Sequence, residues 1–424
     1  MWEKLQQIWK IRDLRASIIF VLAMLFIFRL VAHIPVPGVD VMALRKFFQS
    51  NQILGLMNIF SGGTMENFSV IMLGVAPYIT ASIIFQLLAM IIPKLEEITK
   101  EGESGQRRIN QYTRLLSVPL AFLQSYGMIT LLRQSARGIV GEMDIFRLIT
   151  TMVTITAGTV FLMWIGELIS EKQIGNGISL LIFAGIVSAL PGKVQQMILT
   201  FDSGQLIQMI FFILIAIITV VGVVFVTEGQ RNIPVSYARQ VRGNRVYGGA
   251  TTHLPLRVNM AGVIPIIFAI SVILFPSMIA QFFLRARTAW MANAAQATLG
   301  LFNNQFFYGL LYFILVVAFT YFYTAVIFHP QKIAENLQKQ GGFIPGIRPG
   351  RLTAEYLQYT VNRILLAGSV FLGIIAVLPL TLQSVTGATS LAIGGTSLLI
   401  VVSVVIEIVR QVESQLTMRE YEGY

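Results

Sequence analysis

The chain contains no cysteine, and only three of its 424 residues are histidine. No disulfide framework, thiolate metal site or cysteine nucleophile is available to it. His33, His253 and His329 share no ligand spacing, which excludes the usual zinc arrangements. Charge is scarce as well: charged residues make up 12% of the chain and hydrophobic residues 55%, where a soluble chain carries about 25% charged. No G-x-x-x-x-G-K-[ST] loop, G-x-S-x-G elbow or H-E-x-x-H helix occurs, so nucleotide hydrolysis, serine-nucleophile and zinc-protease chemistry have no foothold. The chain is read as non-enzymatic and without a cofactor.

What the sequence has in abundance is apolar length. Stretches such as 206–226 and 262–280 carry no charge, and about 20 such residues cross a hydrocarbon core of about 30 Å. Ten candidate spans follow: 17–34, 70–92, 115–132, 148–166, 178–190, 206–227, 261–284, 306–328, 364–382 and 394–409. The fifth is short, with Gly175 and Gly177 crowding its start. The first contains Arg29 and runs into His33-Ile-Pro-Val-Pro37 rather than a small-residue cleavage site, so it is a span and not a cleavable signal.

An even number of spans puts both ends on one side. With that side cytoplasmic, the inner segments hold 22 of the 31 Lys and Arg, as the positive-inside rule requires. Two inner loops, 228–260 and 329–363, are far longer than a connection needs. One holds Arg231, Arg239, Arg242, Arg245 and Arg257; the other Lys332, Lys339, Arg348, Arg351 and Arg363. Their charge is compatible with fixing topology alone. Their length suits docking of an anionic partner, whether RNA, an acidic protein face or lipid headgroups. Between the first two spans, Gln52–Phe60 is apolar but too short to cross, and Ser61-Gly62-Gly63 breaks it. Its periodicity favours a helix lying on the outer surface over one entering the membrane.

Ionisable groups inside the spans are few. Arg29 and Glu407 lie near span ends, and Glu167 borders one. A charge at mid-span costs about 2.5–3.5 kcal/mol on insertion scales, and ion-coupled transporters retain one for function. A substrate-specific secondary transporter is thus the competing reading, but it lacks that mark. Span centres carry neutral polar residues instead, among them Thr80, Ser82, Gln86, Gln124 and Ser125, with Asn176 opening the fifth span. Each is accountable singly as an inter-helix hydrogen bond.

Residues 69–86, Ser-Val-Ile-Met-Leu-Gly-Val-Ala-Pro-Tyr-Ile-Thr-Ala-Ser-Ile-Ile-Phe-Gln, closely resemble the second span of the SecY family, the central subunits of bacterial protein-translocation channels. Further SecY-like signatures follow in order: Lys100-Glu-Gly-Glu-Ser-Gly105, Ile174-Gly-Asn-Gly-Ile-Ser179, Thr252-His-Leu-Pro-Leu256, Val258-Asn-Met-Ala-Gly-Val-Ile-Pro265, Phe343-Ile-Pro-Gly-Ile-Arg-Pro-Gly350 and Gly394-Gly-Thr-Ser-Leu-Leu-Ile400. The segment Glu413–Tyr424 departs from the basic tail of many relatives.

The resemblance implies an all-α polytopic fold of ten helices in two inverted five-helix halves around a central pore, 1–190 and 206–424, joined through 191–205. It implies a protein-conducting channel that moves unfolded preproteins across the bacterial cytoplasmic membrane and releases membrane segments sideways. Carried over by resemblance, the pore ring is Val75, Ile79, Ile83, Ile178, Ile182, Ile264, Ile267 and Ile400. The plug is Leu54, Gly55, Leu56, Met57, Asn58, Ile59, Phe60, Ser61, Gly62, Gly63 and Thr64, which replaces the surface-helix reading of that segment. The lateral gate is Thr80, Gln86, Gln124, Asn176 and Phe275. Arg239, Arg242, Arg245, Arg348 and Arg351 dock the SecA motor ATPase or the ribosome. SecE, SecG, signal sequences and anionic lipids complete the expected partners; direct DNA binding is not expected.

Overall fold

The structure is a computed structural model describing residues 9–37, 39–50, 58, 61–135, 144–199, 206–237, 240–242, 245–247, 251–284, 288–386 and 394–422. Each of the ten expected spans coincides with a helix: α1 (Arg12–Ala32), α3 (Ala76–Ile91), α5 (Glu103–Ser135), α6 (Ile145–Glu171), α7 (Gly177–Leu199), α8 (Leu206–Glu228), α9 (Ile264–Phe283), α11 (Gln305–Ile327), α13 (Arg351–Thr386) and α14 (Gly394–Glu422). Among the described residues, four shorter helices lie between them, α2 (Val41–Ser50), α4 (Pro93–Lys100), α10 (Ala289–Asn303) and α12 (Pro330–Lys339). Among the same residues, five helices are long and apolar enough by themselves to cross a membrane, or six if the bent pair α3 and α4 counts as one span. The apolar stretches of α7, α8 and α9 are shorter, Gly177–Gly192, Ile213–Glu228 and Ile264–Ser277.

Helical geometry is what a bilayer demands, because each backbone N–H and C=O must be satisfied within its own segment. Prolines mark where that demand bends. Pro93 forces Ile92 into an extended conformation (φ −99°, ψ 111°), and α4 leaves α3 at 104°. Pro119, Pro191, Pro276 and Pro379 sit inside helices that continue past them. The helix of the fifth span therefore runs beyond Pro191 to Leu199, and the connection expected over 191–205 narrows to 200–205, outside the described residues. The outer faces are apolar too: Ile213, Leu214, Ile217, Ile218, Val221 and Phe225 of α8 are all exposed, as befits a helix whose solvent is lipid.

The principal packing pairs have an internal order. In the first half α1 packs on α6 and α7, α3 on α5, α5 on α6, and α6 on α7. In the second half α8 packs on α13 and α14, α9 on α11, α11 on α13, and α13 on α14. Every pair recurs five spans later. The halves meet along two seams, α9 against α3 and α5, and α14 against α7.

The two long basic loops hold a β-structure that the all-α expectation did not contain. β1 (Gln230–Tyr237) pairs antiparallel with β4 (Thr251–Arg257), Ile233 opposite Leu254. β2 (Gln240–Arg242) and β3 (Arg245–Tyr247) form a hairpin between them. The second loop adds β5 (Gly342–Phe343) to the other edge of β1, Ser236 opposite Phe343. Pro234 and Pro255 hide these strands from propensity, yet both have an open edge: β5 pairs only at Ser236 and Tyr237, and β4 is the edge strand of its sheet. Ile233, Val235, Leu256, Leu337, Ile344, Leu357 and Val361 close a second apolar core under the sheet. The two loops are thus one platform, and α13 is part of it. At its base Glu228 pairs with Arg410 at 2.8 Å. Partial burial and then the nearby Arg410 charge lower the pKa of Arg257, opposed by Glu228.

Leu357 is fully buried at the centre of this core. Leu357→Ala is expected to cost about 2–5 kcal/mol and to loosen both loops together. The measurement is limited trypsin digestion of the detergent-solubilised protein, with faster cleavage at both Arg245 and Lys339. Faster cleavage at only one site would break the claim that the loops form one unit.

Candidate channel neck and its seal

The eight aliphatic residues expected to form a ring lie on four helices. Val75 caps α3, whose next two turns carry Ile79 and Ile83 at helical spacing. Ile178 and Ile182 are on α7, Ile264 and Ile267 on α9, and Ile400 on α14. All belong to, or pack against, one apolar cluster in which Ile182 and Ile400 are fully buried; Ile178 and Ile264 lie half-buried at its edge. The four helices concerned all take part in the two seams, where α5 is the fifth.

Above this cluster the chain between α2 and α3 threads into the first half. Asn58 and Ser61–Thr64 lie in the described part of the expected plug; 54–57, 59 and 60 fall outside it. Ser61 and Thr64 are buried, as are Met65, Phe68 and Ile71–Val75, so these described residues do not lie on the surface. Tight turns satisfy their backbone. Gly63 N–H donates to Asn58 O at 2.7 Å, and Thr64 Oγ1 donates to Ser61 O at 2.9 Å. Three helices press on the segment. A Cβ on Gly158 of α6 would sit 2.2 Å from Val70 O, and one on Gly185 of α7 would sit 2.2 Å from Gly62 Cα. From α1, Arg29 Nη1 donates to Gly62 O at 3.2 Å. The two residues stand 33 apart in the chain, and no local sequence signal links them.

The residues expected at the lateral gate divide. α3 and α9 do pack together. Thr80 Oγ1 donates back to Ala76 O at 3.0 Å, and Gln86 Nε2 donates to Ser82 Oγ at 3.1 Å, so both bond within α3. Gln86 Oε1 on α3 and Ser277 Oγ on α9 are buried without a hydrogen-bond partner. Phe275 is half-exposed on α9 and Gln124 half-buried on α5. Asn176 instead caps α7, its Oδ1 accepting from the N–H of Ile178 at 3.1 Å and of Ser179 at 3.2 Å. The other seam is tied, with Gln415 Nε2 of α14 donating to Gln173 O at 2.8 Å.

Of the arginines expected to dock a partner, Arg348 lies in the turn after β5, and its carbonyl accepts from Thr353 Oγ1 at 3.0 Å. Arg351 opens α13 with its side chain 88% exposed and pairs with Glu355 at 3.1 Å. Arg242 and Arg245 face each other across the β2–β3 turn, and Arg239 lies outside the described residues. Among the described residues no group of three or more His, Asp or Glu could hold a metal ion.

The SecY family model matches residues 69–409. The chain is 46% identical to the protein translocase subunit SecY of Corynebacterium glutamicum, covering 98% of both chains. It is 44% identical to that of Mycobacterium bovis over 97% of each, and 42% identical to that of Thermotoga maritima over all of this chain and 98% of the relative. Its fold matches a solved protein-conducting channel with a TM-score of 0.63 at 17% identity, over 93% of this chain and 91% of the other. It also matches the canine Sec61 of a ribosome-channel complex with a TM-score of 0.58 at 17% identity, over the same shares.

Asn176→Ala is expected to remove the α7 cap at a cost of about 1 kcal/mol, lowering the thermal unfolding midpoint in detergent. Asn176→Asp keeps the acceptor and the midpoint; equal losses in both variants would refute the capping role. With a family match across 69–409 and relatives alike from end to end, the chain belongs to the SecY family of protein translocase subunits.

Proposed function

We propose that the aliphatic cluster is the neck of a protein-conducting channel, and that unfolded preproteins pass through it between the two five-helix halves. What supports this reading is that the eight aliphatic residues lie on four helices that take part in the two seams, and that all belong to, or pack against, the apolar core. Such side chains offer ions no ligands and dewet when closed, yet yield around a passing polypeptide. The buried segment around Ser61–Thr64 is the seal of the idle channel. The seam of α3 and α5 with α9 is the lateral gate, and the seam of α14 with α7 stays closed. Local bonding of Thr80 and Gln86 supports a seam that parts easily. Opening would also hydrate Gln86 Oε1 and Ser277 Oγ, each of which costs about 1–3 kcal/mol while buried and unpaired.

The chain has no nucleotide-hydrolysing motif, so the energy comes from partners: a SecA motor or a ribosome, seated on the basic platform with Arg348 at its tip. SecE and SecG accompany it in the membrane, and its surplus basic side faces the cytoplasm and the anionic lipids of the plasma membrane, with both termini on that side. A substrate-specific secondary transporter finds no support among the relatives or the matching structures.

Two measurements test this. Thr80→Cys with Phe275→Cys, crosslinked by a short bifunctional reagent in the reconstituted complex, is expected to abolish preprotein transport, and reduction or omission of the reagent to restore it; undiminished transport through the locked pair would sink the gate assignment. Arg348→Glu is expected to lower motor-driven transport at least about tenfold, the scale of one strong charge-assisted contact, with assembly of the membrane complex unchanged. Normal ATP-driven transport would count against the platform.

A further inference from the structure

We infer that Arg29 and Gly185 are the residues that seat the sealing segment, acting together on Gly62. This rests on the reading of Ser61–Thr64 as the seal and adds what holds it there. Two independent contacts converge on one residue. Arg29 Nη1 donates to the Gly62 carbonyl at 3.2 Å. On the other side Gly62 lies so close to Gly185 that a Cβ on either would collide, at 3.0 Å from Gly185 Cα or 2.2 Å from Gly62 Cα. Phe28, one residue before Arg29, lies against the same position: the Cβ on Gly62 would also meet its Cζ at 3.1 Å. Gly62 adopts φ +77°, a conformation that favours glycine.

The chemistry of this seat is reversible by construction. Gly62 has no side chain to interlock, and Arg29 binds a carbonyl rather than a carboxylate. Release breaks the charge-assisted hydrogen bond to Arg29, the close contacts with Gly185 and Phe28 and the Thr64 Oγ1–Met72 O bond, and frees a guanidinium that water in an open pore can solvate. Arg29 lies in the last turn of α1, so its charge stands near the end of its span. An intramembrane cation kept at that depth has here a specific partner, the docked segment.

Gly185 is helical and its φ is ordinary, so Gly185→Ala adds a methyl group without backbone strain. Its effect is confined to what the methyl group touches. The test uses the complete translocation complex reconstituted in vesicles without substrate, and reads halide efflux. Deletion of 54–64 sets the fully unsealed level. Arg29→Gln and Gly185→Ala are each expected to raise the leak several-fold toward that level, and Arg29→Lys, which retains a donor, to raise it less than Arg29→Gln. In the deleted channel neither substitution should change the leak further. Tight Arg29→Gln and Gly185→Ala channels beside a leaking deletion would overturn this seat and leave the seal standing. A deletion that does not leak would overturn the seal itself. Equal increments in the intact and deleted channels would show that both residues act elsewhere and would overturn the seat. Preprotein transport by each variant verifies that it has assembled.

Discussion

Helices surrounded by lipid gain little from burying apolar surface against each other, because lipid tails are as apolar as the side chains they would replace. Cohesion has to come from close contact, and close contact needs small residues. The first half shows this plainly. Gly158 lies against the Val70 carbonyl, Gly185 against Gly62, and Gly177 against the Gly166 carbonyl. These contacts make room for an irregular stretch, 61–75, that could not survive facing lipid with its backbone groups unpaired. It is tolerated because it is buried in protein and because its turns bond internally. The platform outside the membrane obeys the opposite regime. There water supplies the drive, and a core of Ile233, Val235, Leu357 and Val361 forms as in any soluble domain.

The repeat in the packing follows from the same constraint. Five packing pairs in the first half reappear among the second five spans, although the two halves show no convincing identity in sequence. What must be kept for such an arrangement is the order of the spans and the location of close approaches, and many sequences satisfy both. An odd number of spans in each half then inverts one against the other. The two seams differ in kind. α14 reaches across to Gln173 through a side chain, whereas Thr80 and Gln86 on α3 keep their bonds within their own helix.

Hydropathy located all ten helices because lipid exposure leaves a mark on every turn. It misjudged their ends for a physical reason. α13 begins at Arg351 and α14 ends at Glu422, well outside the runs 364–382 and 394–409, since a helix that leaves the bilayer loses its apolar signature without losing its hydrogen bonds. The strands were invisible because Pro234 and Pro255 interrupt them and because their partner, β5, is only two residues long and lies about 100 residues on. Asn176 was legible as polar but not as a cap, since its capping role depends on the α7 start that Gly175 and Gly177 set. The Arg29–Gly62 contact was illegible altogether. A guanidinium near a span end reads as snorkelling to the interface until the fold brings a carbonyl to it.

The length of α13 connects these observations. Its first turns hold Leu357 and Val361 in the platform core, and later turns hold Leu365, Leu372, Ile375 and Leu380 in the membrane. At 36 residues it spans roughly 54 Å at 1.5 Å per residue. Where it leaves the platform, Gly368 approaches the Val258 carbonyl so closely that a Cβ would lie at 2.7 Å. The Arg348 turn, two residues before Gly350, is thus joined through the one helix α13 to α11 and α14. Among the described residues, α13 is not one of the helices with principal packing across either seam. The second half, with the platform built on it, therefore meets the first half chiefly through α9 and α14.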